Sequence, residues 1–353
     1  MDKSDSQYSS HFLFLRLVEE HVDEVVVATD TFFADNPEYA HRIESYVDVF
    51  RLIMDLIPAT VDNFWSGNLF PYTEAEYELN SSVYFAIRGF YKQALNSLRS
   101  VLELGLLSVY WDIEDKSHIA IQEWLQSKED TPFRHKIQKR LLEHKNIKRF
   151  DDEAGFFTQL DALYKKLSSF THTKGARYSS RALSISNYNT FNEKSLKYWA
   201  RSLQEVIRLV MMLHILKYPV AYQYTPVDEK FGLNSPIGGF LNPHQVERVK
   251  EIFDEKTNTL LQTISDADPE AIEVAKWVNS HPDITEEEYE QQAIDFDKQM
   301  ILHYKGGFPK WLEEEKKILD VYDQHNVPEA KARLEKRIAL LTQWAIEEGL
   351  AQS

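Results

Sequence analysis

The sequence has no cysteine in 353 residues. Disulfide frameworks, zinc–thiolate centres and thiol nucleophiles are therefore excluded together. Glycine and proline are scarce, at 11 and 12. A many-stranded β architecture needs a turn cluster about every 8–12 residues, so this scarcity points to long helices joined by short connections. No run approaches the roughly 18 uninterrupted apolar residues of a membrane span. The opening "MDKSDSQYSS" lacks the apolar stretch of a secretory signal. The expectation is a soluble, cytoplasmic protein with no membrane partner. Also missing are the phosphate-cradling G-x-x-x-x-G-K-[ST], the dinucleotide G-x-G-x-x-G, the nucleophile elbow G-x-S-x-G and the zinc motif H-E-x-x-H. The residues indicate no metal and no cofactor.

What is present is apolar and acidic. Hydrophobic residues make up 43% of the chain, with 18 Tyr, 20 Phe and 7 Trp, enough for a sizeable core. The net charge of −16 is unevenly spread. Between Arg134 and Arg181, 12 bases face 5 acids; from His244 onward, 24 acids face 13 bases. Basic and acidic helix faces pairing with each other is the simplest use of such an arrangement.

Helical periodicity dominates. Apolar residues recur at three- and four-residue spacing over 11–33 and 37–57, with Asn36 before Pro37 as a start signal. The longest pattern is 76–112, "AEYELNSSVYFAIRGFYKQALNSLRSVLELGLLSVYW", apolar on most sides and so central. Residues 193–218 form a second such helix suited to pack beside it. Shorter helices are predicted near 117–127, 132–146 and 152–170, and "ALSISNY" (182–188) suggests a short strand. The proline- and glycine-containing stretch 221–242 is unusually long for a helix connection. Helices are then predicted near 243–265, 268–279, 285–303, 308–323 and 328–349, with Asn242-Pro243-Gln245, Asp268-Pro269 and Thr285…Glu288 as starts. The expected fold is all-α: an N-terminal multi-helix bundle over 1–220, a linker over 221–242, and a smaller acidic helical domain over 243–353.

Two segments can carry chemistry. "RHKIQKRLLEHKNIKR" (134–149) holds seven cations and one acid, flanked by Phe133 and Phe150. Clustered cations contact phosphates and aromatics stack on bases. Arg134, Lys136, Lys139, Arg140, Lys145, Lys148 and Arg149, with Arg177 further on, are the candidate binding residues. The second is "LSSFTHTKGARY" (167–178), which closes an apolar helix and brings His172 among several bases. An imidazole near neutral pKa is the commonest general acid or base. Metal-free RNA cleavage adds a cation for the developing charge. His172 with Arg99, Glu103 and Lys166 is the candidate catalytic set. Its alternative is a helix end whose imidazole meets a backbone carbonyl. Arg99 and Glu103 lie four apart on one helix face.

"ALNSLRSVLELGLLSVYW" followed later by "LYKKLSSFTH" resembles the broad bacterial HEPN-like group over about residues 76–218. The resemblance matches Arg99 and Glu103 to the group's Arg–Glu pair on a long helix. It matches Leu167-Ser168 to His172 to the end of a later one. It implies an antiparallel bundle of four or five helices, usually dimeric. Many members of the group are metal-independent RNases in toxin–antitoxin or phage-defence systems; others are non-catalytic binding modules. Catalytic members place an Arg four to six residues before a His, where this chain has Lys165 and Lys166. The Arg–His spacing occurs instead at Arg16…His21 and at Arg208…His214, the latter inside an apolar run suited to core packing.

Three expectations follow. The first is a helical interaction module for a protein partner, an RNA or a second copy, with the acidic domain as a further contact surface. The second is a HEPN-like metal-independent RNase using His172. The third is a small-molecule-binding bundle using the aromatic core.

Overall fold

The computed structural model describes residues 19–58, 69–114, 119–180, 188–236, 238–303 and 305–351. All regular structure among them is helical, so the all-α expectation holds. The suggested strand at 182–188 lies almost entirely outside the described residues, as does the start of the helix expected over 11–33. No helix among the described residues is long and apolar enough to cross a membrane.

The chain divides into two compact units, Met1–Thr225 with Ile237–Val278, and Pro226–Pro236 with Asn279–Ser353. In the first unit, α1 (Glu19–Asp35), α2 (Pro37–Arg51) and α3 (Ile53–Leu56) lead to α4 (Phe70–Ile87) and α5 (Tyr91–Glu114). Then come α6 (Ile119–Leu125), α7 (Arg134–Leu141), α8 (Lys145–Ala154), α9 (Phe156–Thr171) and α10 (Glu193–Lys217). The expected single helix over 76–112 is two helices folded back on each other. Gly89 breaks it at φ +72°, and a Cβ there would meet the Thr190 backbone at 2.7 Å. Only glycine combines that backbone angle with so close an approach.

The centre is α5 packed on α10. Every residue of α10 from Val206 to Leu216 is buried except Arg208, the mark of a helix surrounded on all sides. Gly105 sets how near the two axes come: a Cβ there would lie 2.6 Å from Val210 Cγ1 and 2.8 Å from Cγ2. Ser82 ties three helices. Its hydroxyl donates to the Ala94 carbonyl at 2.8 Å and accepts from Trp199 Nε1 at 2.9 Å. His214, fully buried on α10, has Nδ1 2.8 Å from the Val210 carbonyl oxygen and Nε2 3.4 Å from Ser108 Oγ. Of the Arg208…His214 pair, His214 is thus a core residue, while Arg208 is only part-buried and donates to Gln159 Oε1 at 3.0 Å.

The same unit takes in α12 (Pro243–Glu251), α13 (Glu255–Ala267) and α14 (Pro269–Asn279) up to Val278. Composition groups these helices with the acidic tail. Packing does not, because Val246, Val249, Ile252, Phe253, Leu261 and Ile264 join the main core. The division therefore differs from the expected one at 221–242. Within that stretch, Tyr222 Oη donates to Asn258 Oδ1 at 3.0 Å, and Phe240 N–H to the Asp55 carbonyl at 3.1 Å. The expected helix over 243–265 breaks at Asp254, whose carboxylate caps α13 through Thr257 N–H at 2.8 Å.

The second unit holds α11 (Val227–Phe231), α15 (Glu286–His303), α16 (Gly307–Gln324) and α17 (Pro328–Glu347). The last three form a small bundle around Ile301, Phe308, Trp311, Leu341 and Ala345. Segment 226–236 docks on it: Lys230 pairs with Asp283 at 2.5 Å and Gln292 Nε2 donates to the Phe231 carbonyl at 3.1 Å.

The predicted helix starts are only partly built as expected. Asn242 and Gln245 form a full capping box, and Thr285 and Glu288 exchange bonds reciprocally. Asn36 does not cap α2; its side chain donates backward to the Phe32 carbonyl at 2.9 Å.

Two outcomes follow from this core. Gly105→Ala gains about 1 kcal/mol of helix propensity but overpacks a stiff valine, at about 1–3 kcal/mol. It is expected to destabilise, and Val210→Ala is expected to convert the same change into a neutral or stabilising one. Urea unfolding of the four proteins in this cycle measures the coupling. Burial holds the pKa of His214 down at about 4, opposed by its bond to the Val210 carbonyl. The unfolded imidazole titrates near 6.5, so as pH falls the unfolded chain takes the proton first. Stability is fully present above pH 6.5 and is lost as pH drops toward 4, by about 3 kcal/mol for this group. In His214→Gln the slope of unfolding free energy between pH 7 and 5 is expected to flatten.

Candidate functional site

The candidate site grows from the contact between α5 and α9. The two helices run antiparallel along a polar seam. Lys92 Nζ donates to Thr173 Oγ1 at 2.6 Å, and Thr171 Oγ1 to Asn96 Oδ1 at 3.1 Å. Arg99 Nε donates to Ser168 Oγ at 3.2 Å. Positions 92, 96, 99 and 103 repeat at three- and four-residue spacing, so they share one face of α5.

At the middle of the seam a closed triangle forms. Arg99 Nη2 donates to Glu103 Oε1 at 2.7 Å and to Tyr164 Oη at 2.8 Å, and Tyr164 Oη donates to the same Glu103 oxygen at 2.9 Å. Arg134, the first residue of α7, lies with its guanidinium carbon 4.3 Å from the Tyr164 ring centroid and is ion-paired to Asp161. Partial burial lowers the pKa of Arg134, while Tyr164 and Glu103 oppose the shift.

His172 ends the helix. It is the C-cap of α9, exposed, and its side chain has no hydrogen bond among the described residues. Its backbone belongs to a helix-ending motif: Thr173 N–H donates to Phe170 O at 3.1 Å and Lys174 N–H to Ser169 O at 2.9 Å. Thr173 takes φ +46°, costly for a β-branched residue, and its hydroxyl is held by Lys92. Lys166 faces elsewhere. Its ammonium pairs with Glu205 at 3.1 Å and lies 4.7 Å from the Tyr198 ring centroid, both on α10. So Arg99 and Glu103 come together, Lys166 points to another helix, and His172 sits at the helix end.

The basic segment is largely neutralised. Besides Arg134, Arg140 pairs with Glu143 at 2.6 Å, Lys145 with Asp268 at 3.0 Å, Lys148 with Asp152 at 2.7 Å and Arg149 with Glu153 at 3.1 Å. Lys136, Lys139 and Arg177 are exposed and have no acidic partner among the described residues.

Beside the triangle, Glu103 and Arg134 border a cleft of about 350 Å³. Ser168 belongs to the motif the resemblance picks out, whereas Tyr164 and the cleft residues Glu78 and Trp124 carry no signal of their own in the sequence. Tyr164 and Ser168 share the four-residue spacing of Arg99 and Glu103, but spacing within one helix does not reveal which helix it meets. No protein family, curated protein or solved structure matches the chain.

The triangle predicts non-additive energetics. Arg99→Ala leaves Glu103 and Tyr164 without their shared donor and is expected to cost about 1–2 kcal/mol. The Arg99→Ala/Glu103→Ala double variant is expected to cost less than the sum of the two single changes. His172→Ala, at an exposed cap, is expected to change stability by less than about 0.5 kcal/mol. Denaturant unfolding of these variants checks all three.

Proposed function

We propose that the chain is a non-catalytic helical interaction module of HEPN-like type that binds a protein partner. The observation that carries this reading is a row of solvent-facing aromatic side chains on α4. Phe70, Tyr77 and Tyr84 are 42%, 62% and 53% exposed. Their seven-residue spacing puts them on one helix face. Isolated exposed apolar residues need no explanation, but aromatic side chains are the ones enriched in interface cores, and a helix face is a ready-made docking element.

The HEPN-like reading draws support from the contact between the two motif-bearing helices, where Arg99 reaches Ser168. The non-catalytic reading draws support from the dispersal of the candidate set. The Arg99 guanidinium is committed to three partners, Lys166 to Glu205, and the His172 side chain bonds to none of them among the described residues. Protein is favoured over RNA because five of the seven cations in 134–149 already face carboxylates. A defence or stress role is proposed on the resemblance.

A photo-reactive benzoylphenylalanine in place of Tyr77 is expected to give a discrete cross-link in cells to one protein, either another chain or a second copy. The same group at the exposed Lys128 gives none. Yields at 77 no higher than at 128 would sink the reading. In parallel, the purified protein with labelled RNA in EDTA is expected to show no cleavage that His172→Ala removes. Cleavage lost in that variant would replace the module by a metal-free RNase.

A further inference from the structure

We infer that the cleft between α4, α5, α6 and α7 is a receptor for an arginine side chain presented by the partner, an inference that rests on the protein-binding reading above. Leu104 and Ile137 give the cleft an apolar lining, the Trp124 indole forms one side, and Glu78, Glu103 and Arg134 supply its charged groups. At about 350 Å³ it is within the range of pre-formed small-ligand sites. Trp124 is fixed in place. Its Nε1–H donates to Thr131 Oγ1 at 3.0 Å, and its ring meets Phe70 edge-on at 5.9 Å.

The charges decide what the cleft accepts. Arg134 is matched by Asp161 and covered by the Tyr164 ring. Arg99 is matched by Glu103 through Oε1 alone, leaving Oε2 without a hydrogen bond among the described residues. Glu78 has neither an ion pair nor a hydrogen bond among the described residues. Three carboxylates thus face two guanidiniums, and the surplus negative charge belongs to Glu78 at the cleft. A cation completes this arrangement and an anion does not. A guanidinium suits it better than an ammonium, because its plane stacks on an indole while its fork bonds carboxylates. The three-carbon stem matches the Leu104 and Ile137 lining.

Delivery by a protein segment follows from continuity with the aromatic row. Phe70 begins that row and touches Trp124, and Glu78 is the residue after Tyr77. A segment lying along α4 passes the cleft.

Blocked arginine (N-acetyl-arginine methylamide) tests this, with blocked citrulline as the neutral isostere, blocked lysine as the other cation, and inorganic phosphate as the anion. The readout is the indole N–H resonance of Trp124, assigned by its loss in Trp124→Phe. Blocked arginine is expected to shift it saturably and more tightly than blocked lysine. Citrulline and phosphate are expected to leave it unmoved. Glu78→Gln is expected to weaken arginine binding at least about tenfold, with an unchanged thermal midpoint showing that the fold is intact. No shift with arginine, an equal shift with citrulline, binding that survives Glu78→Gln, or a shift with phosphate each overturns the inference. Arginine binding without any cross-link at position 77 keeps the cation site and removes the partner. A cross-link without arginine binding keeps the partner and removes the site.

Discussion

The close crossing of α5 and α10 is the constraint on which the first unit depends. It exists because position 105 has no side chain and Val210 occupies the space a Cβ would need. With the axes this near, α10 is enclosed along its last three turns, and its histidine must be neutral and bonded to a backbone carbonyl. Ser82, whose hydroxyl reaches both Ala94 and Trp199, then fixes α4 against the same pair. Moving α5 outward would open the core and also shift the opposite face of α5, which carries Arg99 and Glu103.

That opposite face shows how a polar seam limits chemistry. Arg99, Glu103, Tyr164 and Ser168 satisfy one another at 2.7–3.2 Å. A guanidinium held this way is well placed to orient helices and poorly placed to meet a developing phosphate charge. What the triangle leaves open is one carboxylate oxygen of Glu103. In the same cleft, Glu78 has no ion pair or hydrogen bond among the described residues. The cleft inherits its polarity from what the seam does not consume.

Charge distribution follows the same logic. The basic run 134–149 reads as a phosphate surface when its cations are counted, yet most of them are spent on carboxylates one helical turn away or on a neighbouring helix. Lys145 with Asp268 is the clearest instance, pairing the basic segment with a buried aspartate from the acidic part of the sequence. Two exposed cations of the run remain, Lys136 and Lys139, with Arg177 well beyond it, too few and too scattered along the chain to define a groove.

Much of the helical order was legible in the sequence. Apolar spacing marks α2, α9, α10 and α15–α17, because a helix must put one stripe toward a core. The capping boxes at Asn242 and Thr285 are equally local. What the sequence did not reveal is where local rules yield to packing. The helical pattern over 76–112 runs through Gly89, where the Thr190 backbone comes against the chain and the helix ends. Asn36 donates its side-chain amide back to the Phe32 carbonyl instead of accepting from the amides it was expected to cap. Helices 243–278 look like the acidic tail by charge but belong to the main core by their buried faces. Composition, periodicity and caps, which act within a few residues, were fixed by the chain alone: an all-α protein, without thiol chemistry. The register of α5 on α9, the cleft, and the commitment of Arg99 to Glu103, Tyr164 and Ser168 were decided only by tertiary structure. Those contacts join residues 61 to 81 positions apart, and no local pattern encodes which face meets which.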